Sequence, residues 1–250
     1  MRSLFLIFAA LAFFTTTLPA QADMPRENLV GFSETDKAGF AFYHLINKEP
    51  PYMDWIQNRP DYMKGSPKDR MLIMDQERVH LRDGFANYQT DRETLLVTAP
   101  LNFTVIDNPD YPADKEAHDK VLTKRVLITM PGDKPPYFPF QVGKFWVGVI
   151  PNDLEKSLSI DMSEEDWQTL SKGLKLTENF KNKSIPVSIV LQPVQADAKT
   201  PVVEGGMPVF LMLSNIASLT MRSPENELLW GWTSPWFLNS QSNELMTLHK

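Results

Sequence analysis

The stretch "TLLVTAPLNFTV", Thr94 to Val105, is where the chain changes its period. Leu95, Val97, Leu101, Phe103 and Val105 alternate with Thr98, Asn102 and Thr104, which is the two-residue repeat of a half-buried strand. Pro100 has no N–H to give a ladder, so the strand is expected to be interrupted near it. Before this stretch the apolar residues recur every three or four positions; after it they mostly recur every two. The division predicts an α+β fold, with N-terminal helices packed on a mostly antiparallel β-sheet. The helical layer is expected over 23–93 and the β portion of the same domain over 94–237, with a polar tail at 238–250.

Working back from Thr94, Ser33 and Asp36 open a helix whose Ala38, Ala41, Phe42, Leu45 and Ile46 fall at helical spacing. Pro50-Pro51 stops it, and a short helix through Met53, Trp55 and Ile56 ends before Pro60. In "SPKD", Ser66 is an N-cap, Pro67 takes the first helical position and Asp69 sits near the positive end of the dipole. Met71, Met74, Leu81, Phe85 and Tyr88 then form a stripe expected in the core; the other use of two neighbouring methionines is an adaptable binding groove.

Working forward, "VLTKRVLITM" (121–130) alternates, and "YFPFQV" with "FWVGVI" reads as a hairpin in which Gly143 supplies the positive φ of a two-residue turn. Leu158 to Met162 is a short strand. Ser163 caps a helix with Trp167, Leu170 and Leu174 on its apolar face, and "IPVSIVLQPV" follows from Ile185. A strand, a helix and a strand in this order are expected to make one crossover unit. Val209 to Met221 and Glu227 to Trp232 are two runs joined by the turn "SPEN". The order of "SIDMSEEDWQTL", "IPVSIVLQPV" and "SLTMRSPENELLWGW" resembles that of secreted bacterial proteins known only as domains of unknown function, over roughly Thr94 to Trp232. The resemblance is one of pattern, and it implies no activity and no functional residue.

The first residues, "MRSLFLIFAALAFFTTTLPAQAD", place Arg2 before an apolar run from Leu4 to Phe14 and end in Ala20-Gln21-Ala22. That is the pattern of a secretory signal peptide over 1–22, too short in its apolar run to remain as a membrane anchor. The chain has no cysteine, which excludes disulfides, thiolate metal sites, a thiol nucleophile and a lipid-modified cysteine. Its formal net charge of −6 makes nucleic acid and anionic membrane surfaces poor partners. The expected location is the periplasm or the exterior, in soluble form after cleavage.

Chemistry is sparse. His44, His80, His118 and His249 are scattered, with no i, i+4 pair to hold zinc. "DNPDYPADKEAHD", Asp107 to Asp119, gathers oxygen donors without the regular spacing or glycine of an EF-type loop, and it is read as a solvated loop. No Gly-x-Ser-x-Gly elbow is present, Gly205-Gly206 lacks the spacing of a phosphate cradle, and Glu164, Glu165 and Asp166 are explained by the first turn of a capped helix. No catalytic residue, cofactor or metal is therefore expected.

Three of the six tryptophans fall in "ELLWGWTSPWF", Glu227 to Phe237. Strand alternation puts Trp230 and Trp232 on one face with Leu228, opposite Leu229 and Gly231. Trp236 and Phe237 follow Ser234-Pro235 and either cap the core edge or contact a partner, which makes them the candidate partner-contact residues. Taken together, these readings point to a non-catalytic secreted or periplasmic protein that binds a protein partner in the cell envelope. The alternatives are a small-ligand carrier or sensor and a hydrolase acting on envelope material.

Overall fold

A computed structural model of the chain describes residues 31–110, 122–132, 135–154, 157–175, 183–223 and 225–238. The expected signal segment, most of the acidic loop after Asp110 and all of the tail beyond Leu238 lie outside these residues. Helix α1 spans Glu34–Leu45 and opens on a capping box. The Asp36 N–H donates to the Ser33 hydroxyl at 3.1 Å, and the Ser33 N–H donates to the Asp36 carboxylate at 3.3 Å. Helix α4, Pro67–Asn87, repeats the device with Ser66 and Asp69. Between them lie α2 (Tyr52–Gln57) and α3 (Pro60–Lys64). The sequence reading missed α3, because Pro60 opens a helix as readily as it ends one.

The stripe expected on α4 is only partly buried. Leu81 and Tyr88 are in the core and Met74 and Phe85 pack against it, but Met71 is 71% exposed. The five-residue α3 lies along one side of α4's first turns, where Arg70 donates to the Tyr62 and Met63 carbonyls. Met71, the next residue around the helix, is left to solvent.

The strands are β1 (Leu95–Asp107), β2 (Lys124–Thr129), β3 (Phe138–Val142), β4 (Phe145–Pro151), β5 (Leu158–Met162), β6 (Lys183–Ala196), β7 (Val202–Glu204), β8 (Met207–Arg222) and β9 (Leu228–Thr233). They form one mixed sheet in the order β3-β4-β8-β6-β1-β2-β5, with β7 and β9 also paired to β8. The β3–β4 hairpin turns at Gly143, whose φ of +62° is the left-handed conformation its turn requires. The strand–helix–strand crossover expected after Leu158 is not one: among the described residues β5 pairs only with β2, β6 lies between β1 and β8, and the two run in opposite senses. Helix α5 (Glu164–Gly173) joins them. The parallel pair is instead β4 with β8.

Contrary to expectation, β1 runs unbroken through Pro100. Pro100 stands opposite Pro186 of β6, and neither can donate. In an antiparallel ladder that is a non-hydrogen-bonded pair, whose N–H and C=O positions point away from the partner strand. The missing donor therefore costs the β1–β6 ladder nothing.

Strand β8 has two neighbours along one edge. Its residues 209–214 pair with β4 and 218–222 with β9, while β6 and β7 occupy the opposite edge. In a flat sheet β1 and β3, four strand spacings apart, would stand about 19 Å from each other. Helix α1 nevertheless contacts β1, β3, β4 and β6, so this half of the sheet is curled around the helix. Phe42 meets Phe145 of β4 and Phe210 of β8 at ring-centroid distances of 6.0 and 5.7 Å.

Close approach explains Gly39, in the middle of α1. A Cβ there would stand 2.5 Å from Trp55 Cη2 and 3.0 Å from Val142 Cγ1. Gly39→Ala is expected to destabilise by about 1–3 kcal/mol, although alanine is the better helix former, because the buried Trp55 ring has nowhere to move. Urea unfolding reads this directly, and a stabilised variant would mean that α1 does not lie this close to α2 and β3.

The other half of the sheet carries α5 against β9. A bulge in the β8–β9 ladder, where Met221 faces Trp230 but Arg222 faces Leu228, leaves Leu229 as the extra residue. Leu229 turns onto α5 beside Gly173, and Leu228 is 55% exposed instead of sharing the core face with the tryptophans. Trp230 is buried and Trp232 half-buried.

Candidate functional site

Along β1, β2 pairs only with Asn102 to Asp107, whereas β6 pairs from Leu95 to Phe103. The edge over residues 95–101 that faces away from β6 thus has no strand partner among the described residues. Its polar groups follow from the proline pair: if Pro100 is non-hydrogen-bonded to β6, so are Thr98 and Leu96, two and four positions back. Leu96 bears this out, since its N–H donates to Glu34 Oε2 at 2.7 Å and not to β6. The open edge consequently presents the Thr98 N–H and the carbonyls of Leu96, Thr98 and Pro100.

Facing this edge are Met130 and Pro131, just after β2, and Pro135 and Tyr137 to Phe140, at the start of β3. Leu96 to Pro100, Met130, Pro131, Pro135, Tyr137 to Phe140 and Glu204 enclose a cleft of about 540 Å³. Its walls are mostly apolar. Strand β3 is itself an edge, and Pro139 must aim its missing donor into the cleft, because Phe138 and Phe140 flank it in the ladder to β4. Glu204, on β7, is the ionisable carboxylate in the lining, and the Tyr137 hydroxyl donates to it. Burial, with this carboxylate beside it, pushes the Tyr137 hydroxyl up to about 12, so it stays a donor at any physiological pH.

Glu34 covers the start of the edge. Its Oε1 accepts from Lys37 Nζ at 3.0 Å while Oε2 takes the Leu96 N–H. Lys37 is only 2% exposed, and Glu93 is also buried. Burial, together with Glu93 and Glu34, raises the pKa of the nearby Tyr88 hydroxyl well above the usual tyrosine range. A buried lysine paired to a carboxylate fixes geometry more than it adds stability. Here Lys37 holds Glu34, and the Glu34–Leu96 bond ties the first turn of α1 to the start of β1.

The expected contact pair lies elsewhere, beyond β9. Phe237 is buried against Val190 of β6 and Ala217 of β8, and Trp236 is half-buried beside it with rings 5.4 Å apart. Phe237 therefore ties the chain to the sheet, and Trp236 is the member of the pair with surface to offer. The structure does not bring either ring to the cleft lining. His44 Nε2 is 2.7 Å from the Phe85 carbonyl oxygen, and His80 stacks on Phe32 at 4.1 Å; His118 and His249 are outside the described residues. Asp107 and Asp110 of the acidic segment pair with Lys124 and Arg125. Among the described residues no three His, Asp or Glu side chains are placed to hold a metal, and no helix is long and apolar enough to cross a membrane.

The cleft was missed by sequence reasoning. Alternation identified β1 as a strand, but which stretch of its edge stays unpaired depends on where β2 ends and how far the sheet curls. The one local signal was Pro100, read as an interruption when it marked an edge. Comparison of the chain with protein-family models, with curated proteins and with solved structures found no match.

Proposed function

We propose that this chain is a non-catalytic protein of the bacterial periplasm or exterior that binds another polypeptide in the cell envelope, and that the cleft between β1 and β3 is its binding element. The observation that carries the reading is the open β1 edge: one main-chain donor and three acceptors stand in a largely apolar cleft, the combination that extended polypeptides satisfy. The signal-like first residues support the location, and the acidic composition favours a protein over nucleic acid or an anionic membrane surface. The apolar walls also favour a second reading, a carrier of a small apolar molecule. No comparable observation favours the hydrolase.

A photo-crosslinking amino acid placed at Leu96, 43% exposed in the cleft, and at Leu228, exposed on β9, separates these readings. In cells, polypeptide adducts are expected at position 96 and not at 228, with the partner identified by mass spectrometry. Absence of polypeptide adducts at 96, or equal adducts at both positions, would remove the support for a polypeptide-binding cleft.

A further inference from the structure

The polar groups in the cleft have an order of their own. The Thr98 N–H and the Leu96, Thr98 and Pro100 carbonyls lie along one strand edge, so they repeat at the spacing of an antiparallel or parallel ladder. On the far wall Pro139 has no donor to offer, and Glu34 already occupies the Leu96 N–H. Prolines and covered donors are how natural sheets prevent long edges from pairing with copies of themselves. What remains open is a short window centred on Thr98. A small apolar molecule would fill the walls and leave these main-chain groups unmatched, whereas an extended chain satisfies both. Glu204 adds a charge preference. Its carboxylate accepts from Tyr137 and keeps acceptor capacity for a cation in the cleft.

We propose that the occupant of the cleft is an extended segment of a partner protein that adds a short strand to the β1 edge at Thr98, with apolar side chains on the cleft walls and a lysine or arginine paired to Glu204. This rests on the reading of the cleft as a polypeptide-binding element. It adds the mode of binding and the chemistry of the bound segment.

The test uses a phage-displayed library of random linear peptides selected on the purified chain, with affinities of the enriched peptides measured on variants. Thr98→Pro removes the one open donor of the window; it leaves the β1–β6 ladder intact, because that N–H does not point to β6. Thr98→Val is the control, since it keeps the donor and removes only the hydroxyl that meets Ser188. Enriched peptides should carry a basic residue between apolar ones. They should bind Thr98→Pro about tenfold more weakly and Thr98→Val about as well as the parent. Glu204→Gln should weaken binding several-fold and flatten its dependence on salt. Circular dichroism and thermal unfolding verify that each variant is folded. Were Thr98→Pro unfolded, Leu96 crosslinking competed by the same peptides would decide the matter on the parent chain, competition supporting the proposal and its absence overturning it. Peptides that bind a folded Thr98→Pro undiminished would overturn strand addition while leaving a polypeptide-binding cleft in place. Failure to enrich any peptide, together with displacement of an apolar dye from the cleft by small apolar molecules only, would overturn both.

Discussion

Replacing Phe40 by alanine is expected to lower the unfolding free energy by about 3–5 kcal/mol, among the largest effects of any single side chain in the helical layer. Phe40 is fully buried on α1. Its ring lies 5.3 Å from Phe32, 5.7 Å from Trp55, 6.1 Å from Phe85 and 6.2 Å from Tyr88. These four rings come from the segment before α1, from α2 and from the end of α4, so truncation leaves a cavity whose walls are held by separate elements. Such a cavity relaxes poorly, which places the cost at the upper end for a phenylalanine. The matched control is Met71→Ala on exposed α4 surface, expected to stay within about 0.5 kcal/mol. Chemical unfolding of the two variants side by side reads the difference. Near-equal midpoints would mean that α1 is not the plug of the curled half-sheet.

In the other half of the sheet, Trp230→Ala is expected to cost about 3–5 kcal/mol, and Trp232→Ala only about 1–2 kcal/mol. Strand alternation alone makes the two rings equivalent. The structure separates them: Trp230 is 8% exposed, faces Met221 across the ladder and meets Phe103 of β1 edge-on at 6.4 Å, whereas Trp232 is half-buried near the end of β9. An edge-to-face aromatic contact adds to the area the ring removes from water. Thermal unfolding followed by tryptophan fluorescence distinguishes the pair. Equal losses would place both rings equally in the core and contradict the difference in their burial.

What was legible in the sequence is what local chemistry decides. The capping boxes at Ser33 and Ser66, the Ser163 cap of α5, the Gly143 turn and the pairing of β8 with β9 follow from residues within a few positions of each other, and all are present. What was not legible depends on contacts distant in sequence. Met71 matches its stripe in spacing, yet it is exposed because α3 is too short to cover it. Leu228 lost its core position to a bulge, which alternation cannot foresee. Strands β5 and β6 flank a helix as a crossover would, but β5 went to the sheet's far edge against β2. The cleft escaped for the same reason: Glu34, Leu96, Tyr137 and Glu204 come from α1, β1, the loop before β3 and β7, and share no motif. The residues next to Phe237, Ser234 and Pro235, leave a cap and a contact both open to a sequence reader; the packing of Phe237 against Val190 and Ala217, far away in sequence, is visible only in the fold.

The open edge of β1 is the central claim, and amide hydrogen exchange of the free chain, resolved residue by residue by NMR, tests it most directly. Val97 and Ala99 donate into the β6 ladder and should exchange slowly, and Leu96 should be slowed by its bond to Glu34. Thr98, lying between slow neighbours in the same continuous strand, should exchange orders of magnitude faster and become protected when a cleft-binding peptide is added. A Thr98 amide as slow as those of Val97 and Ala99 in the free chain would show that the edge is already paired, and the account of the cleft as a strand acceptor would be wrong.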